Sequence, residues 1–215
     1  MRLPLAILAA TTALVIGVAT PIVAQQAMQK PGSKSPAAVT GGTYTVDPGH
    51  TLIGWRVDHL GFNDYFGIFG DATGTLVIDP RNLSAAKVDI TIPVSKLTTA
   101  SAGLTAHMLR AGKDGGKPDF FGASPADAKF VSTQVSAVGQ RAKVAGNLTL
   151  NGVTRPVVLD TEFSGAGKMP AQMGGKQTVG FHAQTTIKRS EFGIVYGIPM
   201  VSDDVELDIT VAFEK

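Results

Sequence analysis

Four histidines are the side chains best suited to metal binding or acid–base chemistry: His50, His59, His107 and His182. No two of them have the spacing of a helical zinc motif, and the chain has no cysteine to act as a thiolate ligand or nucleophile. Asp58 and His59 are adjacent, but neighbouring residues of a strand face opposite sides of the sheet. We therefore predict no metal site and expect His59 and His107 to serve as hydrogen-bonding groups.

Three short motifs resemble parts of enzyme active sites, but each lacks its required context. The segment 84–87 has the Ser-x-x-Lys spacing of penicillin-recognising enzymes, with no Lys-Thr-Gly partner motif. The glycines at 67, 70 and 74 lack the strand-then-helix setting of a dinucleotide loop, and Ser164 lacks the preceding glycine of a nucleophile elbow. A hydrolase using His and Asp is disfavoured because no activated nucleophile can be named. We predict that the protein is not an enzyme.

The charge balance excludes one class of partner. Nineteen Lys and Arg residues against 17 Asp and Glu give the 215 residues a net charge of +2. So small a surplus argues against nucleic acid as the main partner. The hydrophobic content of 44% is that of an ordinary globular protein.

The N-terminus reads as a targeting segment. Met1 and Arg2 precede an uncharged apolar stretch, 3–24, that ends at the small residue Ala24. We predict a signal peptide over 1–24, cleaved after Ala24. A retained membrane anchor is the alternative, but Pro4 and Pro21 interrupt a run that is already short for a span.

Two further regions follow the predicted signal peptide. Segment 25–42 is rich in Gln, Pro, Gly and Ser, and it is predicted to be a disordered leader. From residue 43 the chain changes to alternating Thr, Val, Ile and Phe with Gly and Asn-Gly turns, so 43–215 is predicted to be one domain of strands.

Strand periodicity dominates that domain. Apolar residues alternate with polar ones over 205–213, 88–92 and 181–188, which is typical of antiparallel strands with one buried face. Asn151-Gly152 predicts a tight hairpin turn. The remaining strands are predicted at 43–47, 52–59, 73–79, 129–138, 141–150 and 153–163.

Other segments are not predicted to be strands. Segment 95–110 favours a short helix, 190–196 a second single turn, and the aromatic stretch 63–69 a glycine-flanked loop. About eight meandering strands with one short covering helix favour an all-β fold, a closed antiparallel barrel, because closure removes exposed strand edges. An immunoglobulin-type β-sandwich is the competing fold.

The ordered motifs resemble one known family, the YceI-like, polyisoprenoid-binding proteins. The resemblance spans the whole predicted domain, and no single motif carries it. The motifs lie at 44–51, 55–61, 67–70, 74–76, 97–99, 107–109, 119–121, 146–154 and 188–193. The resemblance implies a lipocalin-like barrel whose apolar interior takes a polyprenyl compound, a prenylated quinone or a similar long amphiphile. It also implies bacterial export, usually to the periplasm.

The chain departs from that pattern between Arg110 and Asp119. Residues 111–118 are inserted where the family usually runs directly into Asp-Phe-Phe, and Gly122 replaces a common acidic residue. We expect this loop near the barrel mouth, where it would affect the preference for a head group. Arg189, next to Lys188, is the candidate cationic clamp for a phosphate or quinone head. A solvated strand end is the alternative for this pair.

Aromatic and branched residues predicted to face inward define a candidate ligand site. Their number favours an apolar tunnel, although aromatic side chains that fill the barrel completely remain the alternative. The predicted ligand-binding residues are Ile53, Trp55, Val57, His59, Phe66, Phe69, Ile90, Ile92, Leu104, His107, Phe120, Phe121, Leu148, Phe181, Arg189, Phe192 and Ile209.

Two functions fit this site. The first is an exported protein that sequesters or carries a long-chain isoprenoid or similar amphiphile. The second is a redox or stress partner of a membrane cytochrome, with a bound isoprenoid quinone as the electron carrier. A polyprenyl compound or quinone is thus the bound group that the resemblance implies, and no other cofactor is expected. Two kinds of partner stay open: a transient contact with a membrane or cytochrome, and a second copy of the chain in a homodimer.

Overall fold

The computed structural model describes residues 30–215. The predicted signal peptide, 1–24, lies outside the described residues. Within 30–215, no helix is both long and apolar enough to cross a membrane.

The described chain is built almost entirely from antiparallel strands. Eleven strands belong to a single sheet. A pairing between the first and the last strand along the chain closes eight of them into a barrel. The strands are β1 (Gly42–Val46), β2 (Leu52–His59), β3 (Asn63–Phe69), β4 (Thr73–Ile78), β5 (Lys87–Ile92), β6 (Leu97–Thr99), β7 (Ala128–Val138), β8 (Arg141–Leu150), β9 (Val153–Lys168), β10 (Gln177–Lys188) and β11 (Asp204–Glu214). The predicted closed barrel is confirmed, and β2, β3 and β6 extend the sheet beyond it.

The sheet divides at β11, which pairs with two different strands along one edge. Its C-terminal end pairs with β1, where Val46 lies opposite Phe213, and its N-terminal half pairs with β2, where Trp55 lies opposite Leu207. Thr51, buried between the two pairings, exchanges hydrogen bonds with the backbone of Ala212. The layer of β2, β3 and β6 is thereby fixed over one end of the barrel.

The prediction of a loop over 63–69 was wrong, because this segment is strand β3. Tyr65, Gly67 and Phe69 face inward, whereas Asp64, Phe66 and Ile68 face solvent, which is the two-residue period of a strand. The β2–β3 turn uses Leu60 and Gly61, both at positive φ. Leucine rarely adopts that conformation, so this turn has no recognisable hairpin signal in its sequence.

The predicted helix is present but shorter than expected. Helix α1 spans Ala102–Met108, and the Ser101 hydroxyl caps it by accepting the N–H of Leu104. Residues 97–99, predicted as part of the helix, form β6 against β3 instead. The second predicted turn is the 3-10 helix Arg189–Phe192.

The N-terminal segment also differs from its prediction. Segment 25–42 was predicted to be a disordered leader, but its described part folds onto the barrel. Ser33 forms a β-bridge with Ala166, Pro36–Ala38 is a 3-10 turn, and Val39 packs against the core. Composition predicted disorder because few of these residues are apolar. Backbone hydrogen bonds of Ser33 and the packing of Val39 hold the described part in place.

Candidate ligand cavity

The barrel encloses an apolar cavity of about 470 Å³. This volume lies within the range of small-molecule sites in proteins, roughly 300–1,000 Å³. Inward-facing apolar side chains, nearly all of them branched or aromatic, form its wall. They include Ile53, Leu76, Ile78, Leu83, Val88, Ile90, Ile92, Phe130, Val135, Val144, Leu148, Val157, Leu159, Phe163, Phe181, Ala183, Leu207, Ile209, Val211 and Phe213.

The cavity wall presents almost no polar chemistry. Arg141 is the one charged residue along it, but Arg141 is exposed and lies opposite Glu162 on the outer face of the sheet, alternating with the inward Ala142. Thr51 is occupied by its hydrogen bonds to Ala212. A charged group bound inside would have no counter-ion, so the interior suits an uncharged apolar chain.

The cavity opens at one end of the barrel. Its exposed lining residues are Pro36, Ala37, Pro80, Gly139, Gln140 and Arg141. All six belong to the N-terminal segment, the β4–β5 loop, the β7–β8 turn or the first residue of β8, which meet at the same end. We call this the open end.

Packed side chains block the opposite end, which we call the closed end. Trp55, Leu97 and Met108 form a buried cluster there, joined by Leu104, Phe120 and Phe121. The Trp55 ring lies against Gly67, where an added Cβ would come within 2.6 Å of indole Cζ2. The sequence predicted that Trp55, Phe120 and Phe121 line a tunnel. In the structure they pack together and close this end of the barrel.

A hydrogen-bonded group covers the closed end from outside. His107 Nε2 lies 2.7 Å from Asp119 Oδ2, and the Arg110 guanidinium donates to the same oxygen at 3.0 Å. The His107 ring contacts Phe120 and Tyr196 edge to face. The hydrogen bonds from His107 and then Arg110 lower the pKa of the Asp119 carboxyl. The arrangement fastens α1 to the loop that carries the 111–118 insertion, so that loop lies at the closed end and not at the mouth.

Arg189 is not positioned to clamp a ligand. Its guanidinium is buried and donates to four backbone carbonyls, those of Ser202, Ile194, Tyr196 and Val201, at 2.7–3.2 Å. Burial lowers its pKa despite the nearby Asp203 carboxylate. Because backbone oxygens use these donors, Arg189 holds the β10–β11 loop together.

The structure separates the predicted site residues into two groups. Six of them line the cavity: Ile53, Ile90, Ile92, Leu148, Phe181 and Ile209. The others do not line it. Six pack in or beside the closed-end cluster: Trp55, Val57, Phe69, Leu104, Phe120 and Phe121. Phe192 is buried in the same cluster as Ile187, His59 lies beside Tyr65, and Phe66 is 68% exposed. His107 is hydrogen-bonded to Asp119, and Arg189 is hydrogen-bonded to backbone carbonyls.

Several cavity residues were missing from the prediction. Leu76, Val144, Leu159 and Val211 occupy inward positions on strands that had been identified, so the two-residue period alone could have found them. Pro36 and Val39 carried no such signal, because they belong to a segment predicted to be disordered.

Comparisons with known proteins agree with this architecture. The family model of the YceI-like domain matches residues 44–213. UPF0312 protein ECA1782 of Pectobacterium atrosepticum is 39% identical over 163 residues, 75% of this chain and 80% of that protein. The crystal structure of the Campylobacter jejuni YCEI protein is 29% identical and superposes with a TM-score of 0.60 over 74% of this chain and 89% of that one.

A third comparison concerns the fold alone. A polyisoprenoid binding domain from Saccharophagus degradans has a TM-score of 0.56 at 14% identity, covering 80% of this chain and 97% of that one. A closed antiparallel sheet around an apolar cavity places the chain in the class of antiparallel β-barrels with an internal cavity. Within that class, the chain belongs to the YceI-like family.

Proposed function

We propose that the protein binds the chain of an isoprenoid or similar long amphiphile inside the barrel and carries or sequesters it. The observation that carries the proposal is the apolar cavity, closed at one end and open at the other, with no charged side chain facing inward along its described wall. Each methylene moved from water into such an interior contributes about 0.8 kcal/mol. Chain length alone can therefore supply the affinity.

The open end indicates how such a ligand would lie. An amphiphile can place its chain in the cavity and keep its polar head in water only if the head stays at the mouth. The mouth residues Gln140 and Arg141 are exposed and polar, whereas the closed end offers packed apolar side chains. The fold of the Saccharophagus degradans polyisoprenoid binding domain supports the choice of an isoprenoid.

A filled-cavity variant tests the proposal. Ala183 is 4% exposed and lines the cavity, while its neighbour Gln184 faces outward. We expect Ala183→Phe to displace bound lipid and Gln184→Phe to retain it. Native mass spectrometry of wild type and both variants, purified from the protein's own host, gives the measurement.

The identity of the released molecule separates two roles. A polyprenyl phosphate or a fatty amide supports carriage or sequestration, and a prenylated quinone supports an electron carrier for a membrane cytochrome. Wild-type protein that carries no lipid and binds no apolar dye would overturn the binding proposal altogether.

A further inference from the structure

A short N-terminal segment lies across the exposed part of the described cavity wall. We call residues 31–39 the strap. Three of its side chains, Pro36, Ala37 and Val39, line the cavity. The family match begins at residue 44, so the strap lies outside the matched domain.

The strap is attached where β9 has a free edge. Pairing between β8 and β9 ends at Arg141 and Glu162, but β9 continues to Lys168. Ser33 covers that edge by exchanging two backbone hydrogen bonds with Ala166, at 3.0 and 2.9 Å. An uncovered edge would otherwise leave unpaired backbone groups beside the mouth.

Two glutamine side chains hold the rest of the strap. The Gln140 amide donates to the Lys34 carbonyl at 2.9 Å, and the Gln177 amide donates to the Ala38 carbonyl at 3.0 Å. Gln140 also lines the mouth. The strap therefore bridges the β7–β8 turn and the start of β10, on either side of β9.

Glycines on β9 make room for this segment. A Cβ at Gly167 would lie 2.0 Å from the Pro31 carbonyl oxygen, and one at Gly165 would lie 3.1 Å from the Ser33 oxygen. Neither glycine has a positive φ, so the backbone of β9 does not require glycine at either position. Space for the incoming chain is the physical reason that a side chain is unfavourable there.

The attachment is light compared with the barrel. Residues 31–37 are exposed, and the strap makes one β-bridge, whereas β9 and β10 are joined by eight residue pairs. Segments with few buried contacts open locally without global unfolding. The strap can thus leave the mouth while the barrel stays closed.

We propose that the strap is the gate of the cavity: its attachment to β9 retains an apolar ligand, and its release lets the ligand enter or leave. This inference rests on the proposed function, because it assumes a ligand in the barrel. It adds that exchange is controlled by a segment of the chain outside the family domain.

The test uses the full-length mature protein and the uncharged fluorescent dye N-phenyl-1-naphthylamine as probe. We expect Gly167→Val to displace the strap and raise both the association and the dissociation rate of the dye by about tenfold or more, with a smaller change in affinity. Ser164→Val is the matched control, since Ser164 is an exposed residue of β9 that has no contact with the strap among those described. Stopped-flow fluorescence measures both rates.

A reversible lock provides the opposite perturbation. Ser33 and Ala166 form a hydrogen-bonded antiparallel pair, in which Cα atoms lie about 5.5 Å apart, within the span of a disulfide. The chain has no cysteine of its own. We expect the double variant Ser33→Cys and Ala166→Cys to exchange dye about tenfold more slowly when oxidised and to recover when reduced.

The outcomes separate the gate from the binding site. Dye that binds with unchanged rates in Gly167→Val and in the oxidised double variant would overturn the gate alone. Dye that fails to bind the wild type would overturn the proposed function and the gate with it.

Discussion

Arg189 shows how a residue chosen for its charge can have a structural role. The sequence predicted a cationic clamp, whereas the guanidinium donates to four carbonyls of the loop that follows β10. Charge-assisted hydrogen bonds to backbone are strong, and buried carbonyls left without a donor are costly. Lys188, one position away, forms only an exposed ion pair with Asp204.

We expect Arg189→Ala to lower the free energy of unfolding by about 3 kcal/mol or more, because each orphaned carbonyl costs about 1–3 kcal/mol when buried. Lys188→Ala should cost less than about 1 kcal/mol, the usual value of an exposed ion pair. Urea denaturation measures both. Equal losses in the two variants would contradict the structural assignment of Arg189.

Asp203, in the same loop, makes the free energy of unfolding depend on pH. Burial opposes ionisation of its carboxyl, but the Ser190 hydroxyl and N–H donate to it at 2.7 and 2.8 Å, and Lys188 and Arg189 add positive charge. The net effect lowers the pKa of Asp203 in the folded state. Its stabilising contribution is therefore complete above the unfolded pKa of about 3.9 and is lost as pH falls through the folded pKa.

Asp203→Asn tests that linkage. We expect the variant to be less stable than wild type at pH 7, and we expect the difference to shrink as pH falls below about 3.9. Urea denaturation at pH 7, 5 and 3 follows it. A stability difference that stays constant over this range would rule out the carboxylate as its source.

At the scale of elements, the layer of β2, β3 and β6 with α1 decides that one barrel end is closed. Trp55 is 7% exposed and packs between Gly67 and the cluster of Leu97 and Met108. Its indole N–H has no hydrogen-bond partner among the described residues, so packing alone fixes the ring. The packing of this layer therefore depends on the Trp55 ring, which lies against Gly67.

Removal of that side chain should weaken the closed end without abolishing binding. We expect Trp55→Ala to cost about 3–5 kcal/mol of unfolding free energy, the range for deleting a large buried aromatic group. Dye should still bind, because Trp55 is absent from the cavity wall. Urea denaturation and dye titration give the two quantities, with exposed Phe66→Ala as the control. Loss of dye binding in a folded Trp55→Ala protein would place Trp55 in the site.

At the scale of the whole molecule, the barrel closes without disulfides. The chain contains no cysteine, and its core is continuous from Tyr44 to Phe213 across the β1–β11 seam. Such a core can fold unaided in an oxidising compartment. This composition is compatible with the export that the N-terminal sequence predicts.

Processing of the N-terminus tests that export. We expect cleavage between Ala24 and Gln25 and recovery of the mature protein in the periplasmic fraction, because the apolar run is short and ends at a small residue. N-terminal sequencing of protein from fractionated cells decides it. Intact Met1 in the membrane fraction would instead support a retained anchor.

The sequence by itself determined most of the strands, though not β3 or β6, and much of the barrel interior. A two-residue period sets which side chains share a face, so alternation alone places Ile53, Ile90 and Ile209 inside the barrel, where the structure has them. The hairpin turn at Asn151-Gly152 could also be predicted from local sequence, because both residues readily adopt the positive φ that the turn requires and that they have in the structure.

Only the tertiary structure decided which end of the barrel opens. Strand alternation gives the face of a residue but not its height along the barrel, and each end is built from segments far apart in the chain. Trp55 and Phe120 meet at the closed end, while Val39 and Gln140 meet at the open one. The role of Arg189 depends on nearby backbone carbonyls, and the position of the strap depends on a free strand edge. The pattern of side chains in the sequence predicts neither.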